Sequence, residues 1–190
     1  MLSIICLAAP AWADFQAGTD AYQRRDYPTA LKEWRPLAEQ GNAVAQSNLG
    51  LLYQNGRGVP QDYVQARQWY EKAAVQGDEN AQYNLSRLYV AGRGVPQDYV
   101  QARQWFKKAA VQRDAKAQHS LGLLYAMGQG VSQDFVQAYM WYSLAVANGE
   151  NEGAIIRDAL VNRMTPAQIA EAQKRAREWK PKTNEQRSPP

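Results

Sequence analysis

Between residues 41 and 148 the apolar positions follow a pattern that returns every 36 residues. In the first block Ala45, Leu49, Leu52 and Tyr53 are spaced 4, 3 and 1 apart, which places them on one stripe of a helix. Asn55-Gly56-Arg57-Gly58-Val59-Pro60 then breaks the stripe with two glycines and a proline. Asp62, with Gln65 three residues later, opens a second helix in the manner of a capping box. That helix is expected to turn Val64, Ala66, Trp69, Ala73 and Ala74 inward, with Tyr53 and Trp69 filling the wider gaps. Each block therefore reads as a helix–loop–helix hairpin whose apolar face only a neighbouring hairpin can cover.

Three such blocks, 41–76, 77–112 and 113–148, follow one another without gaps. The first two agree at 26 of 36 positions and fifteen positions are common to all three, so the frame is a true repeat. The pattern extends outward in weaker form. Ala17, Ala21, Tyr22, Asp26-Tyr27, Ala30, Trp34 and Ala38 sketch a leading hairpin with a tighter turn. Residues 149–162 begin another helix, and Thr165-Pro166-Ala167-Gln168 supplies N-cap, N1 proline and N3 glutamine for a last one ending near Trp179. The expectation is ten helices in five pairs, all α, with Gln173, Lys174 and Arg177 on the outer face of a terminal cap.

The string Ala-x-x-x-Leu-Gly-x-Leu-Tyr-x-x-Gly-x-Gly-Val, followed by Asp-Tyr-x-x-Ala-x-x-Trp-x-x-x-Ala, resembles the Sel1-like repeat, a relative of the tetratricopeptide repeat. The resemblance covers 41–148 directly and, with the degenerate ends, about 15–179. It implies a right-handed α-α superhelix, a solenoid whose first helices line the concave face. It also implies an adaptor that gathers other proteins, often in a bacterial envelope. One departure is Ser86, where the other blocks have Gly50 and Gly122; a hydroxyl there is expected to cost little.

Blocks one and two differ at ten positions, and eight of them (42, 43, 44, 47, 50, 51, 54 and 55) lie in or just before the first helix. One face was diversified while the frame was kept. Carrying over the tetratricopeptide ligand face gives Val44, Ser47 and Leu51 in block one, with Gln54 and Asn55 beyond them. Block two contributes Asn80, Tyr83 and Arg87, followed by Val90 and Ala91. Block three contributes Lys116, His119, Leu123 and Met127, together with Ala126. In the leading hairpin the matching residues are Gln16, Asp20, Gln23 and Arg24. Such a surface suits an extended peptide or a helix carrying some acidic groups. Arg87, standing where both neighbours have Leu, is the sharpest candidate; drift on a solvated face is the plain alternative.

Catalytic chemistry finds no support. The one histidine, His119, sits on what reads as an exposed helix face with no nucleophile or carboxylate pair nearby in sequence. Asp62, Asp98 and Asp134 are explained by helix capping rather than by a metal. The Gly-x-Gly turns follow helices, not strands, so they are not phosphate loops. Trp and Tyr at repeat spacing are packing anchors, which argues against nucleic acid. Some cysteine-rich relatives are described as penicillin-binding or β-lactamase-like, but their paired cysteines and any Ser-x-x-Lys motif are missing here. The reading is a binding protein without cofactor, metal or catalytic residues. A glycan or peptidoglycan binder is the second possibility, and a β-lactamase-like hydrolase the third.

Composition adds the compartment. The chain has 190 residues, one Cys, one His, and 22 Lys+Arg against 18 Asp+Glu. Residues 174–190 carry the whole excess of +4, because 1–173 balance at 16 and 16. The pI near 9.2 therefore describes a tail, with 180–190 expected to be a disordered basic end. No run of 18 apolar residues exists to span a membrane. Residues 1–13 are uncharged and end in Ala11-Trp12-Ala13, the pattern of an export signal cleaved before Asp14, with a start codon expected upstream. Cleavage would remove Cys6, leaving a soluble, cysteine-free, monomeric protein in the periplasm or outside the cell.

Overall fold

The computed structural model describes residues 11–181, with side chains from residue 15 onward. The expected export signal falls mostly outside this range, as do tail residues 182–190; the expected cleavage point after Ala13 lies in the first turn of the first helix. Among the described residues there are ten α-helices and no strand. The chain divides at the boundary between blocks one and two into two compact units, 1–76 and 77–190.

The first unit holds α1 (Ala11–Gln23), α2 (Tyr27–Glu39), α3 (Ala43–Asn55) and α4 (Tyr63–Val75). Each helix packs on the next in sequence, giving two stacked hairpins. Asp62 caps α4 as the sequence predicts, accepting from the Val64 and Gln65 amides. Gly56 ends α3 in the left-handed region at φ 64°, where a side chain would be strained. The long loop then returns across the preceding hairpin. Arg57 donates to the Tyr22 hydroxyl (2.6 Å) and lies over the Tyr27 ring. A Cβ at Gly58 would sit 2.8 Å from the Tyr27 carbonyl, so only glycine allows that approach.

The second unit holds α5 (Glu79–Ala91), α6 (Tyr99–Ala110), α7 (Ala115–Met127), α8 (Phe135–Ala147), α9 (Glu152–Leu160) and α10 (Pro166–Glu178). Asp98 and Asp134 cap α6 and α8, and Thr165 with Gln168 forms the full capping box that opens α10. The fifth pair departs from expectation. After a 3-10 turn at Val161–Arg163, α10 packs against α8 rather than lying antiparallel to α9, with Trp179 meeting Trp141 edge-on at 6.3 Å. Gln173, Lys174 and Arg177 face solvent on α10.

The core differs from the sequence reading in which ring it buries. Val64 is 46% exposed and Trp69 only half-buried, under the Lys72 ammonium at 4.2 Å. The ring buried in every hairpin is the next residue along, Trp34, Tyr70, Phe106 and Tyr142, 36 apart and at most 3% exposed; in block three the repeat tryptophan Trp141, at 5%, is buried beside it. In three of the four hairpins that ring lies on a glycine of the preceding helix. A Cβ at Gly50 would meet the Tyr70 ring at 2.5 Å, one at Gly122 the Tyr142 ring at 2.9 Å, and one at Gly18 the Trp34 indole at 2.5 Å. The block with Ser86 instead of glycine has Phe106 instead of tyrosine, so two substitutions that look independent in sequence fall at one contact position.

A second device is a row of buried glutamines. Gln46 donates to the Ala38 carbonyl (2.9 Å) and accepts from Gln76 (2.7 Å). Gln118 does the same with the Ala110 carbonyl (3.0 Å) and Asn148 (2.9 Å), and Gln82 accepts from Gln112 (2.9 Å). Gln46 and Gln118 each donate to a carbonyl at the end of the previous hairpin's second helix, where the helix runs out of amides of its own. Stacking is thereby fixed by hydrogen bonds as well as by apolar burial.

Candidate functional site

In the second unit, residues spaced 3, 4 and 7 along α5 form one stripe: Asn80, Tyr83, Asn84 and Arg87. Beside them stand Asp114, Ala115, Lys116 and His119 at the start of α7. The turn Asn148-Gly149-Glu150 and Glu152 of α9 complete a cleft of about 740 Å³. Five of the residues chosen from sequence therefore come together: Asn80, Tyr83, Arg87, Lys116 and His119.

Tyr83 forms part of the cleft wall. Its ring packs on Phe106 at 5.7 Å, and the Arg87 guanidinium lies over it at 5.8 Å. Burial pushes the Tyr83 phenol above its usual pKa, Arg87 opposes that, and Asp114 and Glu150 add to it, so the hydroxyl remains a donor at neutral pH. Burial also raises the Asp114 carboxyl, against the opposing pull of the Ala117 amide it accepts from at 2.6 Å and of Lys116. Asp114 is the N-cap of α7, as Asn42 and Asp78 are of α3 and α5.

His119 is not on an exposed face. It is half-buried, its ring 5.3 Å from Tyr142, and its buried Nε2 has no hydrogen-bond partner. Burial of the Tyr142 phenol pushes its pKa up to about 12. Leu123 (40% exposed) and Met127 (56%) continue the α7 stripe beyond the cleft lining.

In the first unit the α3 face carries an exposed Val44 and a half-buried Leu51. Ser47 is 6% exposed, so it presents almost no surface to a ligand; its counterparts Tyr83 and His119 pack beside the Phe106 and Tyr142 rings and stay half-buried. In the leading hairpin Gln16 donates to Asp20 (2.7 Å), which occupies both. The far positions serve the loops: the Gln54, Val90 and Ala126 carbonyls each accept from a returning glutamine at 2.7–2.8 Å. Sequence reasoning missed Asn84, Glu150 and Glu152. Asn84 equals Asn48 in the neighbouring block, so variation between blocks could not flag it. The two glutamates lie past the third block.

Among the described residues no cluster of three His, Cys, Asp or Glu could hold a metal, and no helix is long and apolar enough to cross a membrane. The Sel1 repeat family model matches at residues 43–78, 80–112 and 115–150, more than half of the chain. The chain belongs to the Sel1 repeat family. It is 34% identical to a Sel1 repeat protein from Oxalobacter formigenes, with a TM-score of 0.74 over 77% of this chain and 60% of that one. It is 36% identical to c5321, a protective antigen of uropathogenic Escherichia coli strains displaying an SLR fold, with a TM-score of 0.78 over 88% of this chain. This Sel1 chain spans only 38% of c5321. Helicobacter pylori cysteine rich protein B, 24% identical with a TM-score of 0.51, shares the fold. No curated protein sequence matches. Sel1 repeat proteins generally serve as protein-interaction scaffolds and are typically non-catalytic.

Proposed function

We infer that this Sel1 repeat protein is a non-catalytic adaptor of a bacterial envelope or secreted space, and that it holds an extended segment of a partner protein in the cleft between α5, α7 and α9. One observation carries the reading. Among the positions that differ between otherwise near-identical repeats, Asn80, Tyr83 and Arg87 line a cleft together, while 26 of the 36 positions are kept. Tyr and Arg are the residue types that dominate binding energy at protein interfaces, since both present large area with few rotors and a polar tip. Binding here is stoichiometric, with no turnover.

The test uses the protein from Asp14 as bait in an envelope extract, beside a Tyr83→Ala/Arg87→Ala variant. Neither residue is part of the fully buried core, and circular dichroism checks that helicity is retained. A protein captured by the first bait and lost from the second supports the reading. Equal capture by both removes the cleft from consideration. A ring flanked by two amides, Tyr83 between Asn80 and Asn84, also suits a sugar face, so pelleting with purified peptidoglycan is the companion assay. N-terminal sequencing of the exported protein tests the export assignment, with Asp14 as the expected first residue.

A further inference from the structure

The cleft holds charges of both signs: Asp114 is engaged as the cap of α7 and feels Lys116, and the other four make no close pair with one another. Arg87 and Lys116 stand on the α5 side and at the start of α7; Glu150 and Glu152 stand on the α9 side. Among the described residues none of the four forms an ion pair, whereas Arg67–Glu71, Arg157–Asp158 and Arg175–Glu171 do pair. Unpaired charges of opposite sign in one cleft are a recognition pattern, because complementary potentials select and orient a partner more than they add raw affinity.

The repeat frame does not account for these four residues. Arg87 stands where the other blocks have Leu51 and Leu123, and Lys116 where they have Val44 and Asn80. Glu150 is more telling still. It stands 36 residues after Asp114, at the position that caps α3, α5 and α7, yet α9 begins later and has no side-chain cap hydrogen bond. Its carboxylate is thus released from the structural duty its counterparts perform. Arg87 is in turn oriented by the Tyr83 ring beneath it, and that ring is propped by Phe106. An oriented guanidinium loses less side-chain freedom when it pairs with a carboxylate.

Resting on the peptide-binding reading above, we propose that the cleft selects a partner segment carrying an acidic side chain for Arg87 and Lys116 and a basic side chain for Glu150 and Glu152, in that fixed order across the cleft. The amides of Asn80 and Asn84 lie along the α5 stripe, where they can hold the backbone of such a segment. Order matters because a reversed segment would bring like charges together at both ends.

The experiment is a fluorescence titration with short synthetic peptides in a neutral Ala/Gln background. They carry one Glu and one Lys in either order at graded separations, with Gln replacing one or both in the controls. The expected result is one preferred order, with each charge removed weakening binding about two- to fivefold, the range for solvent-accessible ion pairs. A charge-swapped protein, Arg87→Glu/Lys116→Glu with Glu150→Lys/Glu152→Lys, is expected to prefer the opposite order. Arg87, Lys116 and Glu152 are exposed; if the four-site change perturbs the fold, the Arg87→Glu/Glu152→Lys variant, which leaves each side neutral, is expected to lose the order preference. Neutral peptides binding as tightly as charged ones would overturn this proposal and leave the adaptor reading standing. So would an order preference unchanged by the swap. Absence of binding by every peptide, neutral ones included, would count against both.

Discussion

Gly50→Ala isolates the contact on which each hairpin closes. The added methyl would lie 2.5, 2.6 and 3.0 Å from Cδ1, Cε1 and Cγ of Tyr70, where carbon atoms rest near 3.5–4.0 Å. Tyr70 is fully buried, so its ring has to move by about 1 Å into occupied space. Overpacking of that kind costs about 1–3 kcal/mol. Against it stands the gain of replacing a mid-helix glycine by alanine, about 1 kcal/mol. The net expectation is a loss of about 0–2 kcal/mol. In a Tyr70→Ala background the ring is gone and only the helix gain remains, so the same substitution should stabilise by up to about 1 kcal/mol. The assay is urea unfolding followed by far-UV circular dichroism, comparing Gly with Ala at position 50 in each background at constant slope. A change of the same sign and size in both backgrounds would refute the reasoning, because it would mean that the ring does not sense the methyl.

Other expectations follow from single contacts. Gln118→Leu leaves the Ala110 carbonyl without its side-chain donor and removes the acceptor used by Asn148, so unfolding should show a loss of about 1–3 kcal/mol. Asp114 has a raised carboxyl pKa in the folded state, so its contribution is favourable below the ordinary Asp range and is lost as pH rises through the raised value. Asp114→Asn keeps a good helix cap without that charge and should match or exceed the parent at neutral pH in thermal melts; Asp114→Ala should lose about 1 kcal/mol. Val64→Thr, at a site 46% exposed, should change stability by no more than about 0.5 kcal/mol, whereas the sequence reading of Val64 as a core residue would demand more.

The hairpins, their caps and their breaks were legible because each is local. Asp62, Asp98 and Asp134 announce helix starts, and Gly56, Gly92 and Gly128 end helices in a conformation that favours glycine. The choice between adjacent aromatics was not legible. Trp69 and Tyr70 are neighbours on a helix, and the constant Trp drew attention away from the variable ring that enters the core. What settles it is a contact across helices, Gly50 to Tyr70, whose partner in sequence lies twenty residues away. The glutamine row escaped for a related reason, since a polar residue on an apolar stripe gives no sign that a carbonyl of the previous hairpin awaits it. For the cleft, variation between repeats located Tyr83 and Arg87 but misjudged Ser47, which is too small to reach the surface and is 6% exposed. The turn after the third block contributes Glu150 and Glu152, beyond the reach of any comparison between blocks.

On the proposed function, the cleft face of the first helices, not the second helices, meets the partner. A photo-reactive benzoylphenylalanine placed at Asn80 on the cleft rim, and separately at exposed Lys107 on α6, tests it in one experiment with the full chain in an envelope extract. A crosslinked partner protein is expected from position 80 and none from position 107. A partner joined at 107 and absent at 80 would contradict it.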